Sequence, residues 1–204
     1  MSPLVPADAG LVLLPLARAA IAGRLDAEPP PAPRAAWLTE QGASFVTLTL
    51  NGALRGCIGS LIARRPLGED VEANAVNAAF RDPRFNPLSA AELNSIIIEV
   101  SVLSTPTPLP VRSQTDLLKR LRPGVDGVIL QAGWHRATFL PQVWEELPEA
   151  ADFLAHLRRK AGLAPGYWGP DVRIETYTVT AWKETAPGVP NAAPTGRVPD
   201  GGAP

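Results

Sequence analysis

Residues 45–61 of the chain read FVTLTLNGALRGCIGSL, and this stretch determines the expected fold. Two runs rich in β-branched and apolar residues flank Asn51-Gly52. That dipeptide supplies the positive φ angles of a tight type I′ turn. We therefore predict a β-hairpin whose second strand carries Cys57, the single cysteine of the chain.

The chemistry of Cys57 depends on its neighbours in this hairpin. A simple two-residue turn would pair Leu48 with Arg55 and Val46 with Cys57 on one face. Apolar neighbours indicate a thiol directed into the core, where free cysteine is common and usually inert. Arg55 instead favours the thiolate, which is the nucleophilic form, and the flanking glycines would let a ligand or another backbone approach. Both interpretations remain open on these residues.

The rest of the chain alternates helical and strand patterns, which predicts an α+β fold with a mainly antiparallel sheet flanked by helices. Helices are expected over 8–25 with Asp8 as N-cap, over 69–80, near 115–121 and over 149–161, and strands over 95–104 and 173–182, with a second hairpin around 132–133. Ser89 and Glu92 form a capping-box pattern.

The domain is expected to span residues 8–184. From Pro187 onward the sequence is nearly all Pro, Gly, Ala and Thr, so we expect a disordered tail over 185–204. The 204 residues carry a formal net charge of −1, which predicts no nucleic-acid partner. The apolar stretch near the start contains Pro15 and Arg18 and is too short to span a membrane. We expect a cytoplasmic protein.

Three charged residues outside the hairpin are also of interest. Glu99 lies inside the run IIIEVSVL, where a carboxylate is costly to bury unless it is paired. Arg55 or Arg84 could supply the opposite charge, the strand could have one face in contact with water, or Glu99 could be a general base in a cleft. Asp82 and Arg84 in RDPRF either close a loop or belong to a site.

The sequence offers few partners for a catalytic thiol. His135 and His156 are the two histidines, and nothing in their spacing pairs either with Cys57. Two histidines without clustered carboxylates do not predict a metal site. No phosphate-binding glycine loop or nucleophile elbow is present, so no cofactor is expected.

Five motifs occur in order along the chain: LRGCIGSL, AFRDPRF, IIIEVSVLS, TFLPQV and LRRKAGL. Together they resemble the AmmeMemoRadiSam system protein A family, the AMMECR domain, over roughly residues 10–184. The resemblance implies an α+β fold with a larger part, a smaller β-containing subdomain and a cleft between them.

The resemblance also implies site residues, because the family motifs cluster near that cleft. The implied catalytic candidates are Cys57, Glu99 and Lys160. The implied substrate- or partner-binding residues are Arg55, Gly56, Ile58, Gly59, Asp82, Arg84, Phe85, Pro141 and Gln142. Family members often carry a cysteine where Arg158 stands here, so this chain lacks a second thiol.

Family members resemble companions of a Memo-type protein and a radical S-adenosylmethionine protein. Two hypotheses follow. The chain is an enzyme acting on a small polar or anionic substrate, with Arg55 binding the anion and Cys57 attacking or positioning it. Alternatively, it is a non-catalytic protein that binds one of these companions through the same surface.

Overall fold

The computed structural model describes residues 5–28 and 34–195. The helices are α1 (Gly10–Ala22), α2 (Leu67–Phe80), α3 (Ala90–Leu93), α4 (Gln114–Arg120), α5 (Val143–Glu146) and α6 (Ala150–Lys160), with a short 3-10 helix at Ala36–Thr39. The strands are β1 (Gln41–Gly42), β2 (Ser44–Leu50), β3 (Ala53–Gly59), β4 (Arg65–Pro66), β5 (Ile96–Leu103), β6 (Thr107–Pro108), β7 (Gly127–Ala132), β8 (His135–Phe139), β9 (Val172–Tyr177) and β10 (Val179–Lys183). The chain therefore has the predicted α+β fold.

The described chain divides into two compact units. The first contains the described residues up to 104 and residues 180–195, and its main sheet has the strand order β10-β5-β2-β3. The second contains residues 105–179, with the strand order β6-β9-β7-β8. The single strand expected over 173–182 is wrong. It is two strands, because β9 pairs with β7 of the second unit and β10 belongs to the sheet of the first.

One face of the first sheet packs against α1 and α2. The buried side chains of this core include Leu14, Val71, Leu48, Ile98 and Trp182, each fully buried. Removing a Leu or Ile side chain of this size from water stabilises a fold by roughly 1.5–3 kcal/mol.

The start of α1 differs from the prediction. The helix begins at Gly10 with Ala9 as its N-cap, and no side chain caps it, so the role expected for Asp8 is wrong. Ala9 is itself fully buried in the core, which fixes the entry of the chain without a polar cap.

The hairpin of β2 and β3 has the predicted turn but a different register. Asn51 and Gly52 both have positive φ angles, 51° and 81°, as a type I′ turn requires. The pairs then run Thr49 with Leu54 but Leu48 with Gly56, so Arg55 is a β-bulge, an extra residue without a partner. The pairing expected from a simple turn is therefore wrong by one residue.

A one-residue shift moves side chains to the other face of a sheet. Val46 pairs with Ile58, and Cys57 pairs with Thr47. Val46 is fully buried in the core, whereas Thr47 and Cys57 are only half-buried. Cys57 consequently lies on the face opposite the core, contrary to the expected apolar pairing.

The second unit has its own core between the sheet and its helices. Phe153, Leu154 and Leu157 of α6 are fully buried, as their spacing predicts. The rings of Trp144 and Phe153 stack with centroids 3.7 Å apart. Gly162, with a φ angle of 78°, follows the end of α6.

Part of the expected tail is described. The backbone N–H of Thr185 donates to the Val189 carbonyl at 3.0 Å, and that of Thr195 donates to the Ala181 carbonyl at 2.7 Å. The predicted disorder over 196–204 concerns residues that lie outside the described part of the chain. Within residues 5–28 and 34–195, every helix is too short or too polar to cross a membrane.

Candidate functional site

Three polar side chains lie in one row on the face of the first sheet opposite the core. Thr47 of β2 pairs with Cys57 of β3 on one side and with Glu99 of β5 on the other. Directly opposite residues of antiparallel strands project to the same face, with Cβ atoms about 5 Å apart. The Thr47 hydroxyl donates a hydrogen bond to Cys57 Sγ at 3.2 Å. We call this thiol, hydroxyl and carboxylate the Cys57 row.

The backbone of Cys57 is bound at the edge of the sheet, because β3 is an outer strand. Its N–H donates to Asp82 Oδ2 at 2.8 Å, and its carbonyl accepts from Arg84 Nη2 at 3.2 Å. Asp82 and Arg84 lie in the loop that follows α2. These two side chains supply the hydrogen bonds that a neighbouring strand would otherwise make.

Asp82 is almost completely buried, at 4% exposure, and its carboxylate is fully used. It accepts from the Arg84 guanidinium at 2.9 Å (Oδ1) and 2.6 Å (Oδ2). This pairing, together with the Cys57 N–H, holds the pKa of Asp82 well below its usual range, although burial acts in the opposite direction. Asp82 is therefore ionised at every physiological pH.

Arg55 forms a second ion pair in the same unit. Its Nε donates to Glu92 Oε1 at 2.8 Å, and its Nη2 to Glu92 Oε2 at 3.3 Å. Glu92 also accepts from the N–H and hydroxyl of Ser89, which confirms the predicted capping box. The Arg55 hydrogen bonds, with those of Ser89, lower the pKa of Glu92 to about 2.

One nitrogen of Arg55 is unused. Nη1 is buried and has no hydrogen-bond partner among the described residues. The Arg55 guanidinium carbon lies 6.0 Å from the centre of the Phe85 ring, and that of Arg84 lies 5.4 Å from it. Two guanidinium groups, each paired with a carboxylate, therefore lie near the Phe85 ring.

The glycines beside Cys57 are explained by packing. A Cβ on Gly56 would lie 2.2 Å from the carbonyl oxygen of Ala78 in α2, and one on Gly59 would lie 2.2 Å from the Phe45 ring. The backbone and side chains of the protein itself thus make the close approach that the glycines were expected to allow. Ile58 packs against the core of the first unit.

Glu99 does not have the counter-charge that the sequence suggested. Arg55 pairs with Glu92 and Arg84 pairs with Asp82. No ion pair of Glu99 occurs within the described chain, and the side chain is half-buried on its face of the sheet. Its carboxylate therefore has no charged partner within the described chain.

Three expected site residues belong to the second unit. Lys160 Nζ donates to the Thr138 carbonyl of the outer strand β8 at 3.0 Å and lies 5.0 Å from the centre of the Phe139 ring. Pro141 and Gln142 directly precede α5, and the Pro141 carbonyl accepts a backbone hydrogen bond there. Gln142 is exposed.

The two histidines also lie in the second unit. His135 Nδ1 is 2.8 Å from the Ala161 carbonyl, and His156 Nδ1 is 2.9 Å from the Asp152 carbonyl of its own helix. Both rings are therefore engaged with backbone groups. In the parts of the chain that the structure describes, no group of three or more His, Cys, Asp or Glu side chains could hold a metal ion.

Sequence reasoning missed two residues of this site. Thr47 was missed because the bulge at Arg55 shifts the register by one. Glu92 was identified as a capping residue, but its contact with Arg55 spans 37 positions of the chain. An extra residue in β3 is a local signal that could have indicated Thr47. No local signal indicates the contact of Glu92 with Arg55.

The fold and the site define a two-unit α+β protein with a single, hydrogen-bonded thiol at a sheet edge. The AMMECR1 family matches residues 14–182, so the chain belongs to the AMMECR1 family. A protein of Methanothermobacter thermautotrophicus is 42% identical over 69% of this chain and 74% of its own length. A protein of Saccharolobus islandicus is 43% identical over 74% of this chain and 69% of its own length.

A solved structure shows the same fold. The crystal structure of an uncharacterised protein from Pyrococcus horikoshii is 32% identical, covers 94% of this chain and 99% of its own, and has a TM-score of 0.76.

Proposed function

We propose that this protein is a thiol-dependent enzyme in which the Cys57 row carries the reaction. The observation behind the proposal is that the Thr47 hydroxyl contacts Cys57 Sγ while Glu99 occupies the next position in the same row. A nucleophilic thiol needs a group that stabilises its anion and a base that takes its proton. Thr47 and Glu99 are of the right types for these two roles.

The chemistry would be nucleophilic attack by sulfur on an electrophilic carbon of the substrate. The Cys57 S–H bond breaks, and a bond from Sγ to that carbon forms. The thiol proton passes through the Thr47 hydroxyl, which can rotate between sulfur and carboxylate, to Glu99. Glu99 then returns this proton to the leaving group as its bond to the carbon breaks. In a second step water adds to the carbon, the carbon–sulfur bond breaks, and the proton of the water passes back to Sγ.

The substrate is a small polar or anionic molecule. Arg55 supports this assignment, because its Nη1 is a buried donor without a partner among the described residues. An oxygen of a carboxylate or phosphate would satisfy that donor. Since Glu92 already neutralises most of the Arg55 charge, a single anionic oxygen is a better match than a highly charged ligand.

The protein would act in the cytoplasm, in the AmmeMemoRadiSam pathway with a Memo-type protein and a radical S-adenosylmethionine protein. Membership of the AMMECR1 family supports the pathway assignment. No cofactor is part of the proposed reaction.

Alkylation of Cys57 by iodoacetamide, in native and denatured protein, tests the proposal. An accessible nucleophile reacts in the folded protein, and replacement of Glu99 by Gln slows this reaction without changing the rate in the denatured chain. Loss of pathway function in cells on Cys57→Ala is also expected. The proposal fails if Cys57 reacts only after denaturation, or if Cys57→Ala leaves function intact.

A non-catalytic role in binding a companion protein is the second candidate. Two consecutive large apolar side chains just after β3 favour it: Leu61 and Ile62 are 41% and 48% exposed. Exposed apolar side chains that lie close together are typical of interaction surfaces. The completed ion pairs of Arg55 and Arg84 also suit a pre-formed surface.

The two candidates make different predictions. A binding protein should tolerate Cys57→Ser but lose its companion on Ile62→Asp, with Leu11→Asp as a control at an equally exposed position on α1. Failure to co-purify with either companion at micromolar concentration would exclude the binding role. An enzyme should lose function on Cys57→Ser and tolerate Ile62→Asp.

A further inference from the structure

The edge of β3 at Cys57 is closed by side chains. A residue on an outer strand usually leaves its outward N–H and carbonyl groups to water or to another strand. At Cys57 both groups are occupied, the N–H by Asp82 and the carbonyl by Arg84. Because these backbone groups point away from β2, Cys57 and Thr47 form a pair without mutual backbone hydrogen bonds, in which side chains lie closest.

The loop that closes the edge is itself fixed. Asp82 accepts from the backbone N–H of Arg84 at 3.1 Å and from its side chain at two positions. The Asp82 carbonyl accepts from the N–H of Phe85, and the N–H of Leu88 donates to the Ala79 carbonyl at the end of α2. Both the side chain and the backbone of Asp82 are therefore fixed by its own loop, independently of the contact with Cys57.

We infer that Asp82 is a positioning residue for Cys57: with Arg84, it holds the backbone of residue 57 so that Sγ lies against the Thr47 hydroxyl. The Asp82 carboxylate binds neither substrate nor partner, because both of its oxygens are engaged within the protein. The inference deepens the proposed function, and the positioning of Cys57 serves catalysis only if that function is correct. The contact itself can be tested without any activity.

A double-mutant cycle measures the coupling. The rate of Cys57 alkylation by iodoacetamide is determined in folded protein at one fixed pH for wild type, Thr47→Val, Asp82→Ala and the double variant. In wild type, Thr47→Val should slow the reaction about five-fold, the size of one ordinary hydrogen bond. In the Asp82→Ala background, the same change should have an effect of less than about two-fold, because Sγ is no longer held against the hydroxyl.

A conservative variant and a matched control distinguish the positioning of Cys57 from a general loss of stability of the first unit. Asp82→Asn retains an oxygen that accepts the Cys57 N–H, so it should restore the sensitivity to Thr47→Val. Arg65→Gln breaks another arginine–aspartate pair of the same unit, between Arg65 and Asp70, without touching Cys57. It should leave the five-fold effect unchanged.

If Asp82→Ala does not fold, Arg84→Gln replaces it in the cycle, because Arg84 is about half exposed and its loss frees only the carbonyl side of Cys57. The effect of Thr47→Val should then fall below five-fold.

The inference is overturned if Thr47→Val slows alkylation equally in the wild-type and Asp82→Ala backgrounds. It is also overturned if Thr47→Val has no effect in the wild-type background. If coupling is found but Cys57→Ala leaves cellular function intact, the proposed function fails and the positioning contact stands. If Cys57→Ala abolishes function but coupling is absent, only the positioning role fails.

Discussion

Among the described residues, each unit buries one arginine, and the two are held in different ways. Arg18 of the first unit is 8% exposed and forms a bidentate pair with Glu184, through Nε at 2.8 Å and Nη2 at 2.6 Å. Its remaining donors bind the carbonyl oxygens of Leu93 and Ile96. Every donor group of this guanidinium is used.

Arg158 of the second unit is 1% exposed but has no carboxylate partner among the described residues. Its Nη1 donates to the Pro165 carbonyl and its Nη2 to Gln114 Oε1, and the guanidinium lies 5.6 Å from the Trp168 ring centre. Nε has no partner within the described chain. Burial lowers the pKa of Arg158.

The same two kinds of partner occur among the other cations. Arg55 and Arg84 in the first unit and Arg122 in the second are paired with carboxylates, whereas Lys160 binds a neutral carbonyl. Cations that are paired with buried carboxylates should matter to stability and should depend on pH. Cations that bind carbonyl oxygens should contribute less, and their contribution should be insensitive to acid.

The largest effect is expected from Glu184→Leu. This change leaves the Arg18 charge buried without a counter-charge and removes the acceptor of the Ile98 N–H. The free energy of unfolding should fall by about 3–5 kcal/mol. Urea denaturation followed by far-ultraviolet circular dichroism measures it, and a loss below 1 kcal/mol would show that the pair is not needed.

A smaller, pH-dependent effect is expected from Glu92→Gln. Glutamine retains the capping box but not the ion pair with Arg55. In wild type Glu92 is more acidic when folded, so its contribution is complete above its ordinary pKa of 4.5 and disappears as the pH falls towards about 2. The variant should be about 1 kcal/mol less stable at neutral pH.

The stability difference between wild type and Glu92→Gln should therefore shrink across this acid range. Urea denaturation at a series of pH values measures it. Asp82→Asn is the comparison, because the lower pKa of Asp82 preserves its contribution to more acid conditions. A difference that stays constant down to about pH 2 would contradict the ion-pair explanation for Glu92.

Arg158→Met should cost less than about 1 kcal/mol, although Arg158 is more completely buried than Arg18. The loss of two hydrogen bonds is offset by removal of an uncompensated buried charge. The difference from wild type should not change between neutral and acid pH. A loss as large as that of Glu184→Leu would mean that burial, rather than the type of partner, decides the contribution.

The smallest effect is expected from Lys160→Met. Its hydrogen bond to Thr138 is exposed, so the free energy of unfolding should change by less than about 0.5 kcal/mol. The variant should also leave the alkylation rate of Cys57 unchanged. A clear change in that rate would restore Lys160 as a participant in the chemistry of Cys57.

Local structure was predictable where a short sequence signal specifies it. The Asn51-Gly52 turn, the Ser89–Glu92 capping box and the buried face of α6 all follow from residues within a few positions of each other. The assignment to the AMMECR family from ordered motifs was also confirmed over residues 14–182.

The arrangement of the site was not predictable in the same way. The neighbour of Cys57 depends on a bulge that no turn signal specifies, and the partners of Arg55 and Cys57 are 37 and 25 positions away. Such contacts are decided by packing of the whole unit. The division of residues 172–183 between two sheets has the same cause.

The bulge also determines how the hairpin tolerates changes in length. Because Arg55 has no partner in the ladder, a chain lacking this one residue would keep the pairs from Gly56 to Gly59 in their present register. Such a deletion would remove the ion pair with Glu92 and leave Cys57 opposite Thr47. Deletion of Gly56 would have the same consequence for the thiol, because Arg55 would then take the position opposite Leu48 and Cys57 would stay opposite Thr47. Relatives that differ in length by one residue at this point can therefore share the same site.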